Sequence, residues 1–208
     1  MENLKKKDFK PESLVNKAIE DSKILTKLIN NILVKDEKIR YNSHKVLLLV
    51  SELDPEVLYP KWDFFVNLLK SNNNFHKVIG IQILANLSKV DVDNKFETIF
   101  NLYCALLDAK SVMTASHLAM NLGKIAKVKA SLREKVTEVL LNIDKTSHER
   151  GRKDLIKAAV IKSFIEYLDL IKDKDEIIKF VKDQLNSSSP KTKKMAEDFL
   201  RKVNPNQK

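Results

Sequence analysis

The chain has 208 residues, of which 43% are hydrophobic, with three glycines, five prolines and one cysteine. That is enough apolar material for one globular domain or a short solenoid, and the scarcity of glycine and proline argues against a sheet-rich fold, whose turns use both. The longest aliphatic run, Val46 to Val50, is far below the roughly 20 residues that cross a bilayer, so no membrane partner is expected, and a lone Cys104 permits neither an intrachain disulfide nor a thiolate zinc cluster.

Lysine and arginine total 38 against 28 acids, a formal net charge of +10. Residues 105–208 hold 22 basic and 14 acidic residues, a net of +8, whereas residues 1–104 hold 16 and 14. A positive field in the C-terminal half attracts anionic partners. Residues 1–10 carry lysines with no apolar stretch behind them, so they read as a basic tail rather than a secretory signal. The expected organisation is that tail, a single domain over 11–203 and a C-terminal tail over 204–208. One cysteine and no signal suit a reducing, cytoplasmic setting.

Taken in chain order, two kinds of helical segment alternate. DSKILTKLINNILVK from Asp21 precedes DEKIRYNSHKVLLLVSEL from Asp36, and PEVLYPKWDFFVNLLKS from Pro55 precedes NNNFHKVIGIQILANLSKV from Asn72. NKFETIFNLYCALLDA from Asn94 leads to DAKSVMTASHLAMNLGKIA from Asp108, and KASLREKVTEVLLNID from Lys129 to HERGRKDLIKAAVIKSFIEYLD from His148. KDEIIKFVKDQLNSS from Lys174 then leads to SSPKTKKMAEDFLRKV from Ser188. The second members start at 36, 72, 108, 148 and 188, intervals of 36 and then 40. Their apolar residues recur at steps of three and four, so each pair is a helical hairpin. A hairpin of that size has two apolar faces and hides the second only against a neighbour, so the pairs must stack.

Punctuation supports the boundaries. Asp36, Asn72 or Asn74, Asp108 and Ser189 are placed to cap the second helices, with Pro190 at a first helical position. Small residues recur shortly after those starts, at Ser43, Gly80, Ala115 with Ser116, Ala158 with Ala159, and Ala196, where helix axes must approach closely. These openings, SPKTKKMAEDFL most clearly, resemble the second helix of HEAT-like, armadillo-type repeats over residues 20–203. The resemblance implies an all-α fold, a short right-handed α-α superhelix of about five hairpins, whose second helices line the inner face. Carried over, Arg40, His44, Lys77, His117, Arg152, Lys153, Lys157, Lys193 and Lys194 belong to inner helices.

Catalytic signatures are scarce. Three glycines spread at 80, 123 and 151 assemble neither a Walker loop nor a dinucleotide fingerprint, and no cofactor is expected. Histidines at 44, 76, 117 and 148 are spaced 32, 41 and 31 apart, out of register with the repeat, so a metal row is not expected. The carboxylates Asp54 with Glu56, Asp91 with Asp93, and Asp173 with Asp175 and Glu176 fall in turns, as caps do. Cys104 reads as a buried hydrophobe, and Trp62, Phe64 and Phe65 as an outer helix packing inward.

The basic cluster is the candidate site. Arg150, Arg152, Lys153 and Lys157 crowd one helix start, where positive charge opposes the helix dipole, and Lys193 and Lys194 repeat the arrangement at the next. A phosphate docking there would meet free amides and cationic side chains. The expected function is a non-catalytic scaffold that binds another protein along its surface; the alternative is a nucleic-acid binder that contacts DNA or RNA through those six residues. HEAT-like alkylpurine DNA glycosylases are similar basic proteins, but the single tryptophan here, Trp62 beside Asp63, sits on an outer helix, and no enzymatic activity is expected.

Overall fold

The computed structural model describes residues 2–6 and 8–203. Among these the regular elements are eleven α-helices joined by short 3-10 turns, with no strand. They are α1 (Glu12–Glu20), α2 (Ser22–Asn31), α3 (Glu37–Leu53), α4 (Trp62–Leu69), α5 (Asn74–Leu87), α6 (Lys95–Cys104), α7 (Val112–Val128), α8 (Arg133–Leu141), α9 (Arg150–Tyr167), α10 (Asp175–Asp183) and α11 (Pro190–Val203). The second helices α3, α5, α7, α9 and α11 alternate with first helices, as the periodicity predicts, and each is longer than the first helix before it. No described helix is long and apolar enough to cross a membrane.

The chain divides into two compact units, Met1–Asp93 and Asn94–Lys208, where the sequence suggests a single domain over 11–203. The stretch read as an N-terminal tail, 1–10, is in part packed. Leu4 is buried in a 3-10 turn, and the Asn42 side-chain amide donates to its carbonyl at 2.8 Å. One leucine among lysines is enough to anchor a turn when an apolar helix face is available beneath it. The expected tail 204–208 lies outside the described residues.

Local chemistry accounts for the boundaries. Residues 12–20 form a separate helix, α1, because Asp21 turns extended there and its carboxylate accepts from the amides of Lys23 and Ile24, starting α2. Asp36 caps α3 in the same way, and Ser189 caps α11 with Pro190 in its first position. Two caps differ from expectation. Asn73, rather than Asn72 or Asn74, accepts from the Phe75 amide at 2.8 Å, and Ser111, rather than Asp108, caps α7. Trp62 and Phe65 face inward, and Phe64 is half-buried.

In the N-terminal unit α3 and α5 run parallel with a constant offset. Arg40 stands over the Phe75 ring and Asn86 bonds Ser51 at 2.8 Å, each pair separated by 35 residues. Helix α5 is apolar almost all round and correspondingly buried. Gly80 permits this, since a β-carbon there would lie 2.8 Å from the Phe65 carbonyl oxygen of α4.

The C-terminal unit repeats the scheme at an offset near 40. Asp108 accepts from both the amide and the hydroxyl of Ser147 at 2.7 Å, 39 residues on, and His148 meets the Leu107 carbonyl at 3.0 Å. Further along, Gly123 abuts Ser163, and Lys127 pairs with Glu166 at 3.7 Å. The last two contacts lie on α7 and α9 and the first two join the residues just before those helices; all four advance in the same sense, so the two helices are parallel. The segment leading into α8 meets the start of α6 at a shorter offset: the Lys129 ammonium donates to Asn94, 35 residues back, at 3.1 Å, and Ser131 donates to Glu97, 34 residues back, at 2.9 Å.

Two glycines test this packing. A β-carbon at Gly123 would stand 2.6 Å from the Ser163 carbonyl oxygen, whereas one at Gly151 would meet nothing within 4 Å. Gly123→Ala is expected to lower stability by about 1–3 kcal/mol, and Gly151→Ala to raise it by about 0.5–1 kcal/mol. Chemical denaturation of the two variants beside wild type checks both signs.

Candidate functional site

Parallel registration of α7 and α9 turns two amphipathic helices into one surface. On α7 the exposed or half-exposed positions Met113, Ser116, His117, Met120, Lys124 and Lys127 recur at steps of three and four. On α9 the matching stripe is Arg152, Leu155, Ala159, Lys162 and Glu166. The Gly123–Ser163 contact and the Lys127–Glu166 pair bring Met113 and Leu155 within one helical turn of the same level. Each of those two apolar side chains is 50% exposed. Further along the ledge Met120 lies level with Ala159, and Lys124 with Lys162. The paired small residues divide between the two sides: Ala115 and Ala158 turn into the core, while Ser116 and Ala159 face outward.

The six basic residues singled out from sequence separate onto different surfaces. Arg150, Lys153 and Lys157 line a depression of about 450 Å³ together with three carboxylates, Asp144, Asp154 and Asp183. Lys157 is buried there, its ammonium 2.8 Å from Asp144 Oδ1 and 3.9 Å from Asp154 Oδ1. Lys153 donates to the Asp144 carbonyl at 2.8 Å. Arg152 points elsewhere, onto the ledge, because it lies more than a quarter turn around α9 from each of the others. Lys193 and Lys194 are exposed at the start of α11. The starts of α9 and α11 are adjacent, as expected: Ser188 donates its amide at 3.1 Å and its hydroxyl at 2.6 Å to Asp154 Oδ2, and the Thr192 hydroxyl donates to the Asp154 carbonyl.

Asp154 is the polar centre of that junction, and the sequence offered no sign of it beyond an acid among bases. Burial pushes its carboxyl up, but the Ser188 hydroxyl and amide, then Lys157 and Arg150, outweigh this and hold it below its ordinary value. Part of the basic excess therefore serves the fold.

Other side chains with chemical potential are occupied by packing. Burial pushes the Cys104 thiol up to about 12, so it stays protonated near neutrality. His44 and His148 are buried on different elements, and burial lowers the pKa of His117. No group of three or more His, Cys, Asp or Glu among the described residues is arranged to hold a metal ion. Asp91 and Asp93, expected as turn residues, both accept from the Tyr59 hydroxyl, at 2.7 and 3.2 Å, and with burial they raise the tyrosine pKa.

The Asp154 junction has a pH signature. Its folded pKa lies below the unfolded value of 3.8, so the unfolded chain binds the proton more readily and the stabilisation drains away as pH falls below 3.8. Asp154→Asn is expected to lower stability at neutral pH by about 1–3 kcal/mol, and the difference from wild type to shrink below that pH in an acid series of denaturation curves.

No family model matches the chain, and no curated protein matches it. A solved structure described as the crystal structure of an engineered protein is similar at 16% identity, over 98% of this chain and 88% of that one, with a TM-score of 0.53. The likeness is one of fold alone.

Proposed function

We propose that this chain is a non-catalytic HEAT-like repeat protein, each unit a stack of hairpins, that binds a protein partner on the ledge of α7 and α9. Support for the repeat reading comes from the parallel second helices and their constant offset within each unit. The observation that carries the binding reading is the pair Met113 and Leu155, each half exposed at one level of a continuous two-helix surface. Exposed apolar side chains brought together by packing mark interaction surfaces more strongly than scattered ones do. Arg152, Lys124, Lys127 and Lys162 surround them with Glu166 as the one acid on the stripe, so the partner's contacting segment is apolar and acidic.

A photo-crosslinking residue at Leu155 or Met113 is expected to trap one partner of defined mass, and the same group at exposed Lys179 on α10 to trap none. Leu155→Glu should abolish the adduct formed from Met113 while leaving the thermal midpoint within experimental error. Equal labelling from all three positions would remove the ledge as the binding face.

A second reading, binding of DNA or RNA, draws on the adjacency of the α9 and α11 starts, which gathers Arg150, Lys193 and Lys194 with exposed Lys191 at one end of the unit. Lys153 and Lys157, already engaged by Asp144, contribute less than their sequence positions suggest. On this reading affinity for duplex DNA or RNA falls steeply with salt, and changing Arg150, Lys193 and Lys194 together to glutamate lowers the slope of log affinity against log salt by about 2–3. Absence of binding at low salt would dispose of it.

A further inference from the structure

The start of α3, in the N-terminal unit, carries an arginine whose surroundings are unusual. Arg40 is largely withdrawn from solvent, its side chain 18% exposed, with its guanidinium carbon 5.2 Å above the centre of the Phe75 ring. A guanidinium so placed normally has a carboxylate or several carbonyls bonded to its fork. Arg40 has two distant partners: Nη1 lies 3.5 Å from the Val34 carbonyl, and Nη2 lies 3.9 Å from a Glu37 carboxylate that is 88% exposed. Both distances are at or beyond the limit of a useful hydrogen bond.

A depression of about 430 Å³ opens beside this fork, lined by Glu37, Lys38, Arg40, Tyr41 and Phe75. Its walls are aromatic. Tyr41 is 49% exposed, its ring 6.4 Å from that of Phe75, and the Lys45 ammonium 4.4 Å from the tyrosine ring centre stacks on it. Two cations, Lys38 and the flat fork of Arg40, thus border a slot whose single acid, Glu37, is loosely held. A planar fork short of acceptors matches two oxygens of a carboxylate or phosphate, which a lysine in its place would meet only as a point charge.

We propose that this depression binds an oxyanion carried on an aromatic stem, the carboxylate or phosphate on Arg40 and the stem packed against the side chains of Tyr41 and Phe75 that line it. Glu37 swings outward as the anion enters, and Lys38 adds attraction at the rim. The site is separate from the ledge of α7 and α9, and either proposal stands if the other fails.

The test is a titration of the isotopically labelled full chain, followed by NMR at the Arg40 side-chain NH and at the amides of Tyr41 and Phe75. Phenyl phosphate, phenylacetate, inorganic phosphate and benzyl alcohol serve as probes. Saturable shifts with phenyl phosphate or phenylacetate are expected, and the stronger of the two identifies the anion. Inorganic phosphate and benzyl alcohol, each lacking one half of the recognised group, should bind at least about ten-fold more weakly. Arg40→Gln should weaken binding by about ten-fold or more, and so should Arg40→Lys, which keeps the charge but loses the fork. Glu37→Gln, which removes the competing acid, should tighten it by about two- to five-fold. Thermal melts of each variant separate lost binding from lost folding. No saturable shift with either aromatic anion, equal binding of benzyl alcohol or inorganic phosphate, or affinity unchanged in well-folded Arg40→Gln would each overturn the proposal.

Discussion

Within each unit, close contact between neighbouring helices is the constraint on which the structure depends. At Gly123 the approach of α9 leaves no room for a side chain, and at Gly80 the neighbour is the backbone of α4. Contact at that distance sets the stagger between helices as well as their spacing, because a shift of one residue would place a β-carbon against a carbonyl. Once the stagger is set, polar groups near the helix ends find partners one repeat away: Asp108 with Ser147, Asp154 with Ser188, Asn86 with Ser51. Asn86, Ser51 and Asp154 are buried, and left without a partner such groups would cost about 1–3 kcal/mol each, whereas Asp108 and Ser147 meet at the surface.

The same stagger decides what the C-terminal unit shows to solvent. Two helices with modest apolar stripes become a ledge because their exposed faces are coplanar and in step. Neither Met113 nor Leu155 is remarkable for its type, and each alone would be an ordinary exposed hydrophobe. Their shared level gives them meaning. Positive charge divides in a comparable way. Lys129 and Lys157 are buried and tied to acids or amides, whereas Arg152 and Lys162 stay outside. Formal net charge therefore overstates what a partner meets.

Much of this was legible in the residues. Five openings at intervals of 36 and 40 mark the five second helices, and Asp36 and Ser189 cap where a side-chain acceptor must sit before an apolar run. Gly80 reads as a close approach because a mid-helix glycine needs a reason. Inward packing of Trp62 and Phe65 follows from their spacing. Less was legible at the ends and the site. Helix α1 and the buried turn at Leu4 escaped notice because short segments carry too few periods to show a pattern. Asn73 and Ser111 displaced the expected caps by one to three residues, since runs such as NNN and DAKS offer several acceptors of equal chemistry.

By itself the sequence determined the helical class, the alternation of two kinds of helical segment and their interval, because these rest on local periodicity and turn chemistry within some forty residues. Tertiary structure alone decided which lysines are spent on internal ion pairs, that the six basic residues part onto separate faces, and that Arg40 stands on Phe75 beside an open slot. The reason is rotational. Neighbours along a helix are separated by 100° of turn, so residues adjacent in the chain point apart, and those 35 to 40 positions away come into contact only when the stagger between helices is fixed.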